Sequence, residues 1–342
     1  MTTKLTEPQA IMTAVAARYG FAPIQLRLLT DNPADGVYGV TQSAGMENEE
    51  HFVLKWTKES VRSRSTLQGQ VDWVNFLADH GAPVSRAWPS PQGALVEQLA
   101  VDDAVFSVVC YSQAPGERPA GEALTAEFFQ NWGQVIGQLH ALTTRYTPPQ
   151  ANWHIAAWHE GIANSRQAIP AEQGRVLEKF DALIAHCQSL PTDPGSFGLI
   201  HNDLQANNLR LHQGTLTVID FDDCEYNWFI SDLATALYFS LWEKPHPSQS
   251  NEEFANFVLK NLFVGYRRQR SLDSIWIEQM PFFLKLQEMW IYIAINEFNQ
   301  MAQHGQWTTL PPKHRALLTR YRQNIEQDIP YLSSAHNPWQ SA

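Results

Sequence analysis

The chain is poor in cysteine, in basic charge and in long apolar runs, and each shortage excludes something. Cys110, Cys187 and Cys224 are its only cysteines and lie far apart, which suits neither a disulfide framework nor the paired ligands of a zinc site. A reducing compartment is the expectation. Lys and Arg number 24 against 35 Asp and Glu, a formal charge of -11, with no basic block that would track a phosphodiester backbone; nucleic acid is not an expected partner. No stretch reaches the ~18 consecutive apolar residues of a membrane span. The N-terminus lacks the apolar core of a signal peptide, since Ile11, Met12 and Val15 fall at helical spacing among polar residues. A soluble, cytoplasmic protein is expected, with no membrane association and no protein partner implied. Repeats and low-complexity tracts are also missing.

What is present is enough apolar material for more than one core. Of 342 residues, 44% are hydrophobic and 17% charged, and that length favours two lobes. Ile24 to Leu29, Val37 to Thr41 and His51 to Trp56 read as strands of a small antiparallel sheet, separated by Asn32-Pro33 and Gly45 turn signals. In the third strand Phe52, Leu54 and Trp56 share one face, so Lys55 points to the other. A lysine inside an apolar strand needs a partner. Leu67, Val71, Val74 and Leu77 then repeat at helical spacing, and Gly81 ends the run before Pro83. Ala94 to Leu99 and Ala104 to Tyr111 complete the sheet, and Ser112-Gln113-Ala114-Pro115-Gly116 breaks it. Beyond Phe128 the chain reads as mostly helical to about Tyr331. His140 lies beside a helical apolar stripe and is expected to be a hydrogen-bonded structural histidine.

The chemistry concentrates between His201 and Phe221, which read HNDLQANNLRLHQGTLTVIDF. Phe197 to Ile200 form a short apolar run leading into a polar loop. Leu209 and Leu211 alternate with polar residues, Gln213-Gly214 supplies a turn, and Leu216 and Val218 alternate on the return, which is a hairpin. Folding it brings Asn208 and Asp220 to one open end, with Asp203 in the loop entering that end. Oxygen-bearing side chains so arranged suit a hard divalent cation, because Mg²⁺ takes few protein oxygens and fills its shell with phosphates and water. Asp203 is then left to orient a substrate hydroxyl and accept its proton. Asp followed by Asn after four residues, with an Asp-Phe pair at the end of the next strand, is a phosphoryl-transfer pattern.

This stretch resembles the signature of the aminoglycoside phosphotransferase and choline kinase superfamily. The resemblance implies an α+β, bilobal protein-kinase-like fold, with a small antiparallel-sheet nucleotide-binding lobe over residues 1–111 and a larger, mostly helical catalytic and acceptor-binding lobe over 112–342. It implies ATP and Mg²⁺ as cofactors, Asp203 as the catalytic base, Asn208 and Asp220 as metal ligands, and Lys55 on the nucleotide phosphates. The metal segment continues through Tyr226-Asn227 to an Asp before a helix, Asp232. Adenine would meet the backbone near Cys110, Tyr111 and Ser112.

Two departures stand out. The helix position that carries a lysine-pairing glutamate in kinases aligns with Gln70, Asp72 being on the other side of the helix. The loop Asp31-Asn32-Pro33-Ala34-Asp35-Gly36 holds a single glycine and no phosphate cradle. These departures motivate an alternative, a catalytically weak nucleotide-binding protein. Only twelve positions separate Asp220 from Asp232, too few for the segment with which protein kinases hold a peptide, so the expected acceptor is a small molecule. Asp222, Asp223 and Glu225 form a carboxylate cluster suited to an ammonium group, and they point to an amino-bearing metabolite or antibiotic.

Overall fold

The computed structural model describes residues 14–15, 18–21, 25–31, 35–43, 49–101, 103–150, 153–246, 248–303 and 312–332. The opening helix around Ile11 and Met12, the centre of the 31–36 loop and the tail from Ser333 lie outside the described residues. The chain gathers into two compact units. One comprises Met1–Glu117, Arg145–Ile155 and Leu209–Asp222; the other comprises Arg118–Thr144, Ala156–Asn208 and Asp223–Ala342.

The first unit is built on six strands, β1 (Gln25–Asp31), β2 (Asp35–Ser43), β3 (Glu49–Lys58), β4 (Ala87–Trp88), β5 (Glu97–Val101) and β6 (Ala104–Ser112). Their order is β1-β2-β3-β6-β4 with β5 also on β6, and every pairing is antiparallel. Alternation along β3 sends Leu54 and Trp56 into a core with Tyr38, Val40, Phe106, Val108 and Cys110. Lys55 is left on the opposite face, in register with Val37 and Val109. Helix α1 (Arg64–Asp79) follows, started by Ser63, whose hydroxyl accepts the Thr66 N–H at 3.2 Å. Its Leu67 and Val71 pack on Ala87, Val96 and Val109.

A hairpin from much later in the chain completes this unit. Leu209–His212 and Thr215–Val218 pair around Gln213 and Gly214, with φ of 48° and 82°. Positive φ at both central residues is what a two-residue turn needs to match the twist of its strands. The hairpin is stitched in at both ends: Val218 donates to Pro83 O at 2.8 Å and accepts from Ser85 N–H at 2.9 Å, while Leu211 and Glu117 exchange bonds of 2.8 and 3.2 Å.

The second unit is helical, with α2 (Ala126–Thr143), α3 (Ile162–Ala168), α4 (Gly174–Ser189), α5 (Phe229–Trp242), α6 (Asn251–Tyr266), α7 (Ser274–Glu278), α8 (Met280–Gln303) and α9 (Pro312–Glu326). Helices α2 and α6 pack backbone to backbone. A Cβ on Gly265 would lie 1.8 Å from Gln130 O, and one on Gly133 would lie 2.0 Å from Leu262 O, so glycine is required on both faces. Val176 and Phe180 of α4 meet Met289 and Tyr292 of α8 and Tyr321 of α9 in a second core. A short antiparallel pair, Phe197–Ile200 with Glu225–Trp228, sits among these helices. The architecture is therefore α+β, with the antiparallel sheet early and the helices late. No helix among the described residues is long and apolar enough to cross a membrane.

Candidate active site

In the helical unit the polar loop after the Phe197–Ile200 strand is held by one buried carboxylate. Asp232, in the first turn of α5, is fully buried. Its Oδ1 accepts the Asn202 N–H at 2.8 Å, and its Oδ2 accepts the His201 N–H at 3.1 Å and His140 Nε2 at 3.1 Å. His140 Nδ1 lies 3.1 Å from the Tyr266 hydroxyl. Burial lowers the His140 pKa against the opposing pull of Asp232. A neutral ring that donates from Nε2 to Asp232 and accepts at Nδ1 from Tyr266 satisfies every partner. His140 is thus the hydrogen-bonded structural histidine expected from its position.

Asn202 is in the left-handed region, φ 67°, and turns the chain so that Asp203 follows. Asp203 Oδ1 accepts from Gln205 Nε2 at 2.8 Å, and Oδ2 accepts from Asn208 Nδ2 at 2.7 Å. The same Asn208 amide donates to Asp203 O at 2.8 Å. Burial, joined by the Asp223 charge, outweighs His201 and these hydrogen bonds and moves the Asp203 carboxyl up to about 6. Glu225 is shifted further, to about 7, by burial and by Asp223, Asp232 and Glu160, against a hydrogen bond from Asn227 Nδ2 at 2.6 Å.

In the sheet unit Lys55 finds two carboxylates. Its Nζ is 2.8 Å from Asp220 Oδ1 and 2.5 Å from Asp222 Oδ2. Arg62 also pairs with Asp222 Oδ2, and Gln70 Nε2 donates to Asp222 Oδ1 at 3.1 Å. Burial alone would lower the Lys55 pKa; Asp222 and Asp220 reverse it and hold the ammonium above its ordinary value. Asp222 is the mirror case, where burial opposes ionisation but Lys55 and Arg62 keep its carboxyl well below the usual range. Asp220 follows the hairpin with φ 63°, a strained backbone of the kind that collects at functional sites. Cys110 is buried in the sheet core, with its thiol pushed up to about 12 by burial. Tyr111 stands between Val53 and Ala87. Ser112 donates its N–H to Arg86 O at 2.8 Å and accepts the Ser85 hydroxyl at its carbonyl, so both its backbone groups are engaged by the fold.

The three carboxylates grouped by sequence have different surroundings. Asp222 belongs to the sheet unit and its charge is taken up by two cations, whereas Asp223 and Glu225 belong to the helical unit. Gln70 reaches Asp222 and leaves its Oε1 buried with no hydrogen-bond partner among the described residues. Asp72 accepts instead from Tyr146 at 2.8 Å. Arg62 was not singled out from sequence; an arginine in the turn between the lysine strand and α1 was the available signal.

Each unit offers an oxygen donor of the kind Mg²⁺ takes. In the helical unit Asn208 uses Nδ2 on Asp203, which leaves its Oδ1 for a cation; in the sheet unit Asp220 offers a carboxylate that is 44% exposed. No group of three or more His, Cys, Asp or Glu that could hold a metal ion occurs among the described residues.

Comparison with known proteins gives a consistent answer. The model of the phosphotransferase enzyme family matches residues 34–270. Amicoumacin kinase of Bacillus subtilis (strain 168) is 29% identical over 331 residues, covering 96% of this chain and 94% of that protein. The structure of amicoumacin kinase hAmiN in complex with AMP-PNP, Ca²⁺ and Ami superposes with a TM-score of 0.86 at 30% identity over 95% of both chains. A microcompartment-associated aminopropanol kinase shares the fold at a TM-score of 0.72 and 21% identity, over 93% of this chain and 95% of that one.

Proposed function

The chain belongs to the phosphotransferase enzyme family and is an ATP-dependent phosphotransferase with an alcohol group as acceptor; within that class we propose that it phosphorylates a hydroxyl of a small, amino-bearing compound, with amicoumacin the first acceptor to test. Similarity to amicoumacin kinase along nearly all of both chains supports that order of testing. The observation that carries the amine is Glu225, whose carboxyl is pushed up to about 7 by burial and by three neighbouring carboxylates. An ammonium beside it would relieve that repulsion and restore its charge.

In this reading Asp203 is the base. Gln205 and Asn208 fix its two oxygens, so the carboxylate is oriented before the acceptor arrives. The acceptor oxygen attacks the γ-phosphorus, the bond to the β,γ-bridging oxygen breaks, ADP departs, and the hydroxyl proton passes to Asp203. A carboxyl near 6 is still ionised at neutral pH, and its proton affinity is closer to the working pH than that of an ordinary aspartate. Lys55 binds the α- and β-phosphates, and main-chain groups near Cys110 and Tyr111 meet the adenine. Mg²⁺ held by Asn208 Oδ1 and Asp220 would draw negative charge from the phosphates during transfer. A cytoplasmic location suits both the supply of ATP and a chain whose three cysteines are buried as thiols.

The test is acceptor-dependent ADP release with Mg·ATP on amicoumacin, 1-aminopropan-2-ol, an aminoglycoside and propane-1,2-diol. Turnover on an amino-bearing acceptor with none on the diol is the expected result. Equal turnover on 1-aminopropan-2-ol and propane-1,2-diol would remove the amine from the proposal.

A further inference from the structure

Lys55 has three N–H donors, and two of them are committed to carboxylates that differ in kind. Asp220 is 44% exposed and pairs with Lys55, with no second cation among the described residues, whereas Asp222 is 16% exposed and fully engaged. Its Oδ2 faces both Lys55 and Arg62, and its Oδ1 takes the amide of Gln70, itself 2% exposed on α1. Three side chains, from β3, the following turn and α1, thus close on one carboxylate in the segment after the hairpin.

The identity of residue 70 fits this arrangement. An amide there donates to Asp222, whereas a glutamate would set two carboxylates about 3 Å apart, at the distance of the present hydrogen bond. The Gln70 Oε1 is buried with no hydrogen-bond partner among the described residues, a cost that leucine would avoid, so what the amide contributes is its donor half, on Asp222.

We propose that Asp222 is the positioning residue for Lys55, supplying the fixed negative charge that aims the ammonium at the nucleotide phosphates, and that Gln70 is the clamp on α1 that holds Asp222 in place. The carboxylate that would otherwise stand on the helix has moved to the segment after the hairpin. Arg62 shares this anchor, so the loop between β3 and α1 is tied to the same point. The inference rests on the reading in which Lys55 meets ATP phosphates.

The experiment compares ATP and adenosine affinities by calorimetry for Asp222→Asn, the double variant Asp222→Asn with Gln70→Glu, and Lys55→Ala. Asp222→Asn is expected to weaken ATP about tenfold or more while leaving adenosine unchanged, the size of effect set by one charged hydrogen bond. The double variant returns a carboxylate to this corner from the helix side and should recover most of the lost ATP affinity, a rescue that a purely structural role would not give. ATP binding unchanged in Asp222→Asn, equal loss of both ligands, or a double variant no better than the single overturns the proposal. Should Asp222→Asn fail to fold, Gln70→Leu carries the test: ATP weakened with adenosine unchanged supports the clamp, and no change overturns it. Lys55→Ala separates the two levels. If it loses no preference for ATP over adenosine, the phosphate reading of Lys55 falls and this inference with it; if it does and Asp222→Asn does not, only the inference falls.

Discussion

Asn202 holds a left-handed backbone while its N–H is donated to Asp232 Oδ1 at 2.8 Å. An asparagine tolerates that region better than most residues, and the buried carboxylate compensates the turn, so the residue before Asp203 is fixed from the α5 side. Asp232→Asn keeps the shape but leaves one acceptor oxygen for three donors, the His201 and Asn202 N–H groups and His140 Nε2. Unfolding in urea should report a loss of about 1–3 kcal/mol for the orphaned donor. Turnover should fall more than ATP affinity, because the loop carrying Asp203 loosens and β3 is untouched. Unchanged stability would mean that the three hydrogen bonds are not shared as drawn.

Asp203→Asn removes the charge that attracts the hydroxyl proton while keeping size and reach. Single-turnover phosphorylation should slow by ~10²–10⁴, the usual contribution of a general base, with Mg·ATP affinity close to wild type. A variant that transfers phosphate at the wild-type rate takes Asp203 out of the base role.

Asp220→Ala should behave in the opposite way. If the residue holds Mg²⁺, nucleotide affinity in the variant becomes independent of the metal, so titrations in excess Mg²⁺ and in EDTA give the same value. Its bond to Lys55 is lost as well, but Asp222 remains to hold the lysine. Persistent strengthening of nucleotide binding by Mg²⁺ in the variant would assign the metal elsewhere.

The Glu225 carboxyl, moved up to about 7 by burial and neighbouring negative charge, predicts a pH signature for amino-bearing acceptors. Below that value the group is protonated and neutral; above it the group carries the charge that an ammonium seeks. KM for such an acceptor should therefore fall as pH rises from 6 to 8, and Glu225→Gln should flatten the dependence and raise KM throughout that range. A slope that survives in Glu225→Gln places the titrating group at another residue.

The local structure that carries several candidate residues was legible in the sequence. The hairpin announced itself through alternation on both sides of Gln213-Gly214, and the structure turns at those two residues. The placement of Lys55 opposite Leu54 and Trp56 follows from the two-residue period of a strand, and the register keeps it. What the sequence could not tell is where adjacent carboxylates point. Asp222 and Asp223 are neighbours in the chain, yet one is held between Lys55, Arg62 and Gln70 while the other raises the Asp203 pKa. Nothing local distinguishes them, because the residues that surround Asp222 lie more than a hundred positions away in the chain. Asp232 shows the same limit. Its spacing from Asp220 was visible, but its role as a fully buried acceptor for two backbone amides and a histidine depends on how α5 meets the loop. Ser112 was grouped with Cys110 and Tyr111, and only the pairing partners reveal that its N–H and carbonyl are already engaged.

The hairpin at Leu209–Val218 is stitched to Pro83, Ser85 and Glu117, and this bears on how the molecule is made. A ribosome emits the six strands and α1 first, but the segment that supplies Asp220 and Asp222 emerges only after about a hundred further residues, most of them belonging to the other unit. Until then Lys55 and Arg62 stand in an incomplete unit without their carboxylates. A single cut in the gene therefore cannot part the two units from each other, and two fragments cut between Arg62 and Asp220 would have to interleave to regain a lysine with its counter-charges. Contacts so distant along the chain also close late and slowly, so the last step in assembling the sheet unit should be the arrival of the residues proposed to meet the phosphates.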